Sequence, residues 1–261
     1  MSEGTPMSRK ADLAALVRSA PPVAVVFDCD GTLMDTEPCA DAARGAVFAR
    51  RGRVYDDAAR EALIGLSLPQ GGEVMSQLFG GNAAELADEL GAALLAAVAA
   101  GARPMPGAAD LVTLLCGAGV PLAVASNGPR VLLDKSLARG GLSRWLPVTV
   151  SGDDVVFPKP HPDCYLAACS ALGVEPGRAL AVEDSPVGAR AAHAAGMTVL
   201  GVGALTRGPY VHAHVPALDD AALGHWLAGW RSAVAGPLQS PRADHLLRGG
   251  AEELSPHAPT V

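Results

Sequence analysis

Short apolar runs alternate with helix-like segments along most of the chain. Two of the helix-like segments, 163–172 and 186–195, stop directly before a glycine, which is a common end of a helix. Apolar runs of this length, separated by helices, are typical of buried strands joined by βαβ crossovers. The pattern therefore predicts an α/β fold around a parallel sheet, with strands at 23–27, 120–125, 148–151, 179–182 and 198–202.

The alternation is interrupted between residues 38 and 103. Helical patterns fill this stretch without a convincing strand, and Asn82 with Glu85 three positions later resembles a capping box. The stretch is left at residues 104–107, Pro-Met-Pro-Gly, a sequence that suits a hinge. We therefore predict a helical insertion that is entered after Glu37, with helices at 38–51, 56–64, 72–79 and 82–100.

The two ends of the chain differ from its centre. The first residues are polar, and the last ones are rich in Pro, Gly, Ser and Ala, a composition that is typical of a mobile tail. These shifts divide the chain into an N-terminal extension, an α/β core in two pieces, the helical insertion and a disordered tail. The predicted bounds are 1–20, then 21–37 with 104–234, then 38–103, and finally 235–261.

Composition limits the kinds of partner. The net charge of −7, from 20 basic and 27 acidic residues, argues against nucleic acid or an anionic membrane surface as a partner. No apolar span reaches the length of a transmembrane helix. The five cysteines are odd in number and include no C-x-x-C pair, as expected for reduced thiols. We therefore expect a cytoplasmic protein, acting as a monomer on a small molecule.

The most informative residues are two aspartates at the end of the first predicted strand. Asp28 and Asp30 follow the apolar run 23–27, and ligands of open α/β sheets bind outside the carboxyl ends of the strands. The next residues, Gly31 and Thr32, form a turn whose backbone amides can approach an anion. One carboxylate of such a pair can attack a substrate while the other moves a proton.

Three further strand ends or loops carry polar residues of complementary kinds. Singly, each is an ordinary turn or surface group, but together they suit phosphoryl transfer. A divalent cation held by Asp28 and Asp184, with the backbone carbonyl of Asp30, would offset the repulsion between carboxylates and a phosphate, and oxygen ligands favour Mg²⁺. Glu183 would support this cation site from behind it. The candidate phosphate-binding residues are Ser126, Asn127 and Lys159.

These motifs resemble those of haloacid dehalogenase superfamily phosphatases that carry a small helical cap after the first motif. The matching segments, in the family's order, are DCDGTLMDTE at 28–37, SNG at 126–128, KPHPD at 159–163 and EDSPVG at 183–188. The resemblance implies a Rossmann-like three-layer α/β/α core, Mg²⁺ and an aspartyl-phosphate intermediate. It further implies that Asp28 is the nucleophile and Asp30 the acid and base.

The family contains other reactions, which the sequence separates in part. Asp30 disfavours carbon–halogen cleavage, and the insertion contains no lysine for the Schiff base of a phosphonate hydrolase. The main alternative is a β-phosphoglucomutase-like phosphosugar mutase. Ala40 stands where those enzymes have a histidine, and residues 63–69 are apolar where theirs are charged. We therefore expect a phosphatase of a sugar, sugar-acid or polyol phosphate, with some similarity to 6-phosphogluconate phosphatases.

One histidine pair near the end of the predicted core has no matching acidic or cysteine partner. His212-Ala213-His214 is therefore interpreted as a surface loop rather than a zinc site.

Overall fold

The computed structural model describes residues 13, 22–204 and 206–234. The predicted extension at 1–20, apart from Leu13, and the predicted tail at 235–261 lie outside the described residues. The strands and α-helices are, in chain order, β1 (Ala24–Phe27), β2 (Met34–Asp35), α1 (Glu37–Arg50), α2 (Asp57–Leu63), α3 (Leu68–Phe79), α4 (Ala83–Gly101), β3 (Arg103–Pro104), α5 (Ala108–Gly117), β4 (Leu122–Ala125), α6 (Arg130–Arg139), β5 (Val148–Val150), α7 (Asp163–Leu172), β6 (Ala179–Glu183), α8 (Pro186–Ala194), β7 (Thr198–Val202), β8 (Ala213–Val215) and α9 (Ala221–Val234).

A six-stranded parallel sheet, in the order β5-β4-β1-β6-β7-β8, is the centre of the fold. Strand β1 lies between β4 and β6, with Val26 beside Ala123 on one side and Ala181 on the other. The strands at the five predicted apolar runs agree with the prediction to within two residues at either end. The α/β class and the parallel sheet are therefore confirmed.

Two strand features were not predicted. The segment 212–214 is not a surface loop, since Ala213–Val215 forms the edge strand β8 parallel to β7, with Ala213 buried. The strands β2 and β3 form a two-residue antiparallel ribbon, Met34 with Pro104 and Asp35 with Arg103. The two-residue strands are too short to give a recognisable alternation of apolar and polar positions, and β8 has only two apolar residues, on either side of His214.

Successive strand residues point to opposite faces of the sheet, and each face has its own core. One core contains Phe27, Val124 and Leu180, together with apolar residues of α5, α6 and α9. The other contains Val26, Ala123 and Ala181 with apolar residues of α7 and α8. Helices thus cover both faces of the sheet, which gives the expected three-layer arrangement. Within the described residues, no helix is both long and apolar enough to cross a membrane.

The helices α1 to α4 lie between β2 and β3 and have a core of their own. Phe48, Leu63, Met75 and Leu86 are buried in it. Helix α3 begins at Leu68, four residues earlier than predicted, because Ser67 forms a capping box with Gln70.

Helix α4 offers a test of its predicted start. The side chain of Asn82 accepts hydrogen bonds from the backbone N–H groups of Ala84 (2.9 Å) and Glu85 (3.2 Å). We expect Asn82→Ala to lower the free energy of unfolding by about 1 kcal/mol, because two N–H groups lose their acceptor. Asn82→Asp, which keeps the acceptor, is the control. Equal urea midpoints for the Ala variant and the wild-type protein would contradict the capping role.

Candidate active site

The seven sequence-predicted site residues meet at the carboxyl ends of three neighbouring strands. Asp28 and Asp30 follow β1, while Ser126 and Asn127 follow β4. Glu183 is the last residue of β6 and Asp184 the next. Lys159 comes from the loop before α7. Because β1 lies between β4 and β6, the order of the sheet brings these side chains to one edge.

A buried ammonium group joins two buried carboxylates at this edge. Lys159 Nζ donates to Asp28 Oδ1 (2.6 Å) and to Glu183 Oε1 (2.7 Å). Burial disfavours the charged lysine, but Asp28 and Glu183 outweigh it and raise the pKa of Lys159 well above its usual value. Burial also raises the pKa of Asp28, with Lys159 acting in the opposite direction. Lys159 is therefore a fixed cation beside the Asp28 carboxylate.

The Glu183 carboxylate is surrounded by donors. Its Oε1 accepts from the Tyr165 hydroxyl (2.7 Å) as well as from Lys159, and its Oε2 accepts from the backbone N–H (3.1 Å) and hydroxyl (3.0 Å) of Ser185. A Cβ on Gly188 would lie 1.6 Å from Oε1, so this helix position must be glycine for α8 to approach the carboxylate. Because its carboxylate already accepts four hydrogen bonds, Glu183 acts as a supporting group behind Asp28 and Asp184.

Asp184 lies against the turn that follows Asp28. Its Oδ1 accepts from the Thr32 hydroxyl (3.1 Å). A Cβ on Gly31, whose φ is +88°, would lie 2.2 Å from Asp184 Oδ2, so this turn also requires glycine. Burial, assisted by the charge of Glu183, raises the pKa of Asp184 to about 6. The Asp184 carboxyl is thus closely surrounded by Gly31, Thr32 and Glu183.

The acidic groups fit a divalent cation. Carboxylate oxygens of Asp28, Glu183 and Asp184 lie within 4.8 Å of one another. Three carboxylates face the single charge of Lys159, so the cluster has an excess of negative charge. An all-oxygen donor set with such an excess suits a hard ion such as Mg²⁺.

Asp30 has a different environment from Asp28. Its side chain is exposed and is held by two hydroxyl groups, Thr36 Oγ1 on Oδ1 (2.8 Å) and Ser126 Oγ on Oδ2 (3.2 Å). The Ser126 hydroxyl in turn accepts from the backbone N–H of Gly128 (2.9 Å). One aspartate is therefore buried against a cation, while the other stands at the mouth of the site.

Asn127 braces the lysine loop. Its Oδ1 accepts from the backbone N–H of Lys159 (2.8 Å), and its Nδ2 donates to the backbone carbonyl of Lys159 (3.1 Å). The Lys159–Pro160 peptide bond is cis. Both polar atoms of the Asn127 side chain therefore bond to the backbone of Lys159 and hold the lysine loop in place.

Sequence reasoning missed Tyr165, and it included Gly188 in the motif EDSPVG without assigning it a role. Tyr165 is completely buried, and burial raises its pKa well above its usual value, so its hydroxyl remains a donor. A polar aromatic residue six positions after Lys159, in a chain with 4% aromatic residues, was the available signal. Gly188 stands in the first turn of α8, where an interior glycine is unfavourable unless close packing requires it.

The close approach at Gly188 is open to test. We expect Gly188→Ala to lower the free energy of unfolding by about 1–3 kcal/mol, because the added Cβ collides with the Glu183 carboxylate. Gly224→Ala, in α9 and with no atom within 4 Å of the added Cβ, is the matched control. Thermal melts of the two variants give the comparison. The same melting temperature for both would show that Gly188 is not required for packing.

A parallel sheet with an aspartate pair, a buried lysine and an acidic pair at its strand ends is an arrangement that suits chemistry on a phosphoryl group. Residues 23–196 match the haloacid dehalogenase-like hydrolase family, and the chain belongs to that family. The family and the reaction class predicted from the sequence are confirmed by this match and by relatives that are named phosphatases.

Two of these relatives are bacterial. The chain is 36% identical to validoxylamine A 7'-phosphate phosphatase from Streptomyces hygroscopicus subsp. limoneus, over 68% of this chain and 84% of the relative. It is 32% identical to fructose-1-phosphate phosphatase YqaB from Escherichia coli, over 68% of this chain and 95% of the relative.

Solved structures agree with the fold. CbbY from Rhodobacter sphaeroides, in complex with phosphate, has a TM-score of 0.65 and 26% identity, covering 78% of this chain and 99% of CbbY. A haloacid dehalogenase family hydrolase from Deinococcus radiodurans, with bound phosphate and sodium, has the same TM-score and 28% identity, covering 81% and 98%.

Proposed function

We propose that the protein is a Mg²⁺-dependent phosphatase that hydrolyses a small phosphorylated carbohydrate through an aspartyl-phosphate intermediate. The observation that carries this proposal is the buried Lys159 ammonium between Asp28 and Glu183, with Asp184 alongside. The names of two relatives, which act on validoxylamine A 7'-phosphate and fructose 1-phosphate, support a sugar, sugar-acid or polyol phosphate as the substrate.

In this mechanism Asp28 attacks the phosphorus atom and the bond to the leaving oxygen breaks. Asp30, exposed at the mouth of the site, protonates that oxygen. Asp30 then takes a proton from water, whose oxygen attacks the same phosphorus, so that Asp28 is regenerated and inorganic phosphate leaves. The hydroxyl groups of Thr36 and Ser126, which donate to Asp30, hold its carboxyl in place for both proton transfers.

Charge decides whether the phosphate can approach. Two unit charges 4 Å apart interact by roughly 4 kcal/mol at an effective dielectric constant of 20, so each carboxylate opposes the phosphate by an amount of that order. Lys159 offsets one carboxylate. Asp28 and Asp184, with the backbone carbonyl of Asp30, would hold Mg²⁺, which would supply the remaining positive charge.

The helical insertion favours a phosphatase over a mutase. A mutase must hold the second phosphate of a bisphosphate, which requires free cations. Arg44 pairs with Glu37 and Asp41, and Arg60 pairs with Asp41. Arg50 and Arg51 both pair with Glu89. Each of these four arginines therefore already has a carboxylate partner, which weakens its attraction for a second phosphate and supports water as the acceptor of the phosphoryl group.

A cavity of about 50 Å³ in the insertion also favours a phosphatase over a mutase, because its lining is mostly apolar. Arg44 is the charged residue of its lining, and the rest is alanine, glycine and leucine. Ala40, at the position where mutases have a histidine, is part of this lining.

We also propose a cytoplasmic monomer. The cysteines Cys29, Cys39, Cys116, Cys164 and Cys169 are all free thiols, which suits a reducing compartment.

The nucleophile is tested by Asp28→Asn. Its turnover should fall by about 10³-fold or more, because an amide cannot form the covalent intermediate. The control is Asp134→Asn, an exposed aspartate of α6 that pairs with Arg130. Inorganic phosphate released from a panel of phosphorylated sugars, sugar acids and polyols is measured, with circular dichroism to confirm folding. Full activity of a folded Asp28→Asn protein would contradict the mechanism.

Metal removal tests the cation. We expect a chelator to abolish phosphate release and added Mg²⁺ to restore it, because Asp28 and Asp184 otherwise repel the substrate.

An assay with hexose 1-phosphate and a catalytic amount of bisphosphate distinguishes the phosphatase from the mutase. Isomerisation to the 6-phosphate without release of inorganic phosphate would replace the phosphatase proposal with the mutase.

A further inference from the structure

A buried tyrosine lies beside the lysine of the candidate site and has no part in the mechanism above. The hydroxyl of Tyr165 lies 3.3 Å from Lys159 Nζ and 2.7 Å from Glu183 Oε1. Its ring also faces the ammonium, with Nζ 4.8 Å from the ring centroid. We propose that Tyr165 is a positioning residue, whose hydroxyl holds Lys159 where it can receive a phosphoryl oxygen. This inference rests on the proposed phosphatase function.

The ammonium group has as many partners as it has protons. Lys159 Nζ contacts Asp28, Glu183 and Tyr165, and an ammonium carries three N–H donors. A phosphoryl oxygen bound beside Asp28 can accept the N–H that Lys159 donates to Asp28 Oδ1. Glu183 and Tyr165 are then the two protein groups that keep the ammonium in place while its third partner changes.

The Tyr165 hydroxyl also weakens the electrostatic attraction between Glu183 and the Lys159 ammonium. Tyr165 and Lys159 both donate to Oε1 of Glu183, so this oxygen shares its negative charge between two donors. The two carboxylate contacts of the ammonium are accordingly almost equal, 2.6 Å to Asp28 and 2.7 Å to Glu183. Without the hydroxyl, Oε1 interacts with Lys159 alone, and the ammonium is drawn toward Glu183 and away from the substrate side.

The substitution Tyr165→Phe separates the effect of the hydroxyl from that of the ring, because it removes the hydroxyl and keeps the ring against the ammonium. The matched control is Tyr55→Phe, which removes a hydroxyl that donates to a carboxylate, Asp41 Oδ1 at 3.0 Å, within the helical insertion. Both variants lose a hydroxyl that donates to a carboxylate, but only Tyr165→Phe also loses a hydrogen bond to Lys159.

The readout is the inhibition constant of inorganic phosphate in the presence of Mg²⁺, measured with kcat and KM for substrates with different leaving groups. For Tyr165→Phe we expect the inhibition constant to rise about tenfold, the lower end of the range for groups that orient a functional side chain. The value of kcat/KM should fall by a similar factor for every substrate, because the phosphoryl group is common to all. For Tyr55→Phe the inhibition constant should stay within about twofold of the wild-type value.

The inhibition constant describes the folded molecules alone, so partial unfolding of a variant does not imitate the expected result. An unchanged inhibition constant in Tyr165→Phe, beside a lower melting temperature, would reduce the tyrosine to a structural role and overturn the inference. A loss that differs between leaving groups would overturn it too. In both cases the wild-type protein still releases phosphate. A wild-type protein without phosphate release would instead overturn the proposed function, and the inference with it.

Discussion

The ion pair network of Lys159 is the constraint on which the rest of the site depends. Burying a charged group costs several kcal/mol unless it is paired and hydrogen-bonded, and here one ammonium lies between two buried carboxylates. Tyr165 and Ser185 complete the hydrogen bonding of Glu183, and Gly188 leaves room for its carboxylate. The network is satisfied in its interior, but it retains an excess negative charge on the side of Asp28 and Asp184. That excess is the reason the cluster suits a divalent cation.

The sheet order makes this network possible. Lys159 and Asp28 are 131 residues apart in sequence, and they meet because the strand ends of β4, β1 and β6 are neighbours. The helical insertion interrupts the chain between β2 and β3, whose short ribbon returns the chain to the core. Thr36, directly before α1, donates to Asp30, so the start of the insertion shares a hydrogen bond with the proposed acid and base.

The sequence was informative where a pattern extends over several residues. Four apolar runs of four or more residues, together with the segment 148–151, located five strands, and polar residues just beyond three of them located the site. Edge strand β8, with three residues and a half-buried His214 at its centre, has no such pattern. Tyr165 and Gly188 matter because both contact Glu183, 18 and 5 residues away in sequence, and Tyr165 also contacts Lys159. Such contacts depend on how α7 and α8 pack on the sheet. Local composition does not specify them.

The core and the insertion differ in their distribution of charge, and under the proposed function this difference affects substrate selectivity. The core has an excess of negative charge at one point, where the phosphoryl group and a cation would meet. Four arginines of the insertion pair with Glu37, Asp41 and Glu89, and leucines form much of the lining of its cavity. A largely paired and apolar surface discriminates by shape and by hydrogen bonds more than by net charge. Substrates that carry one phosphate on an uncharged carbohydrate therefore match both halves of the molecule, whereas a second phosphate would have to compete with these carboxylates for the arginines.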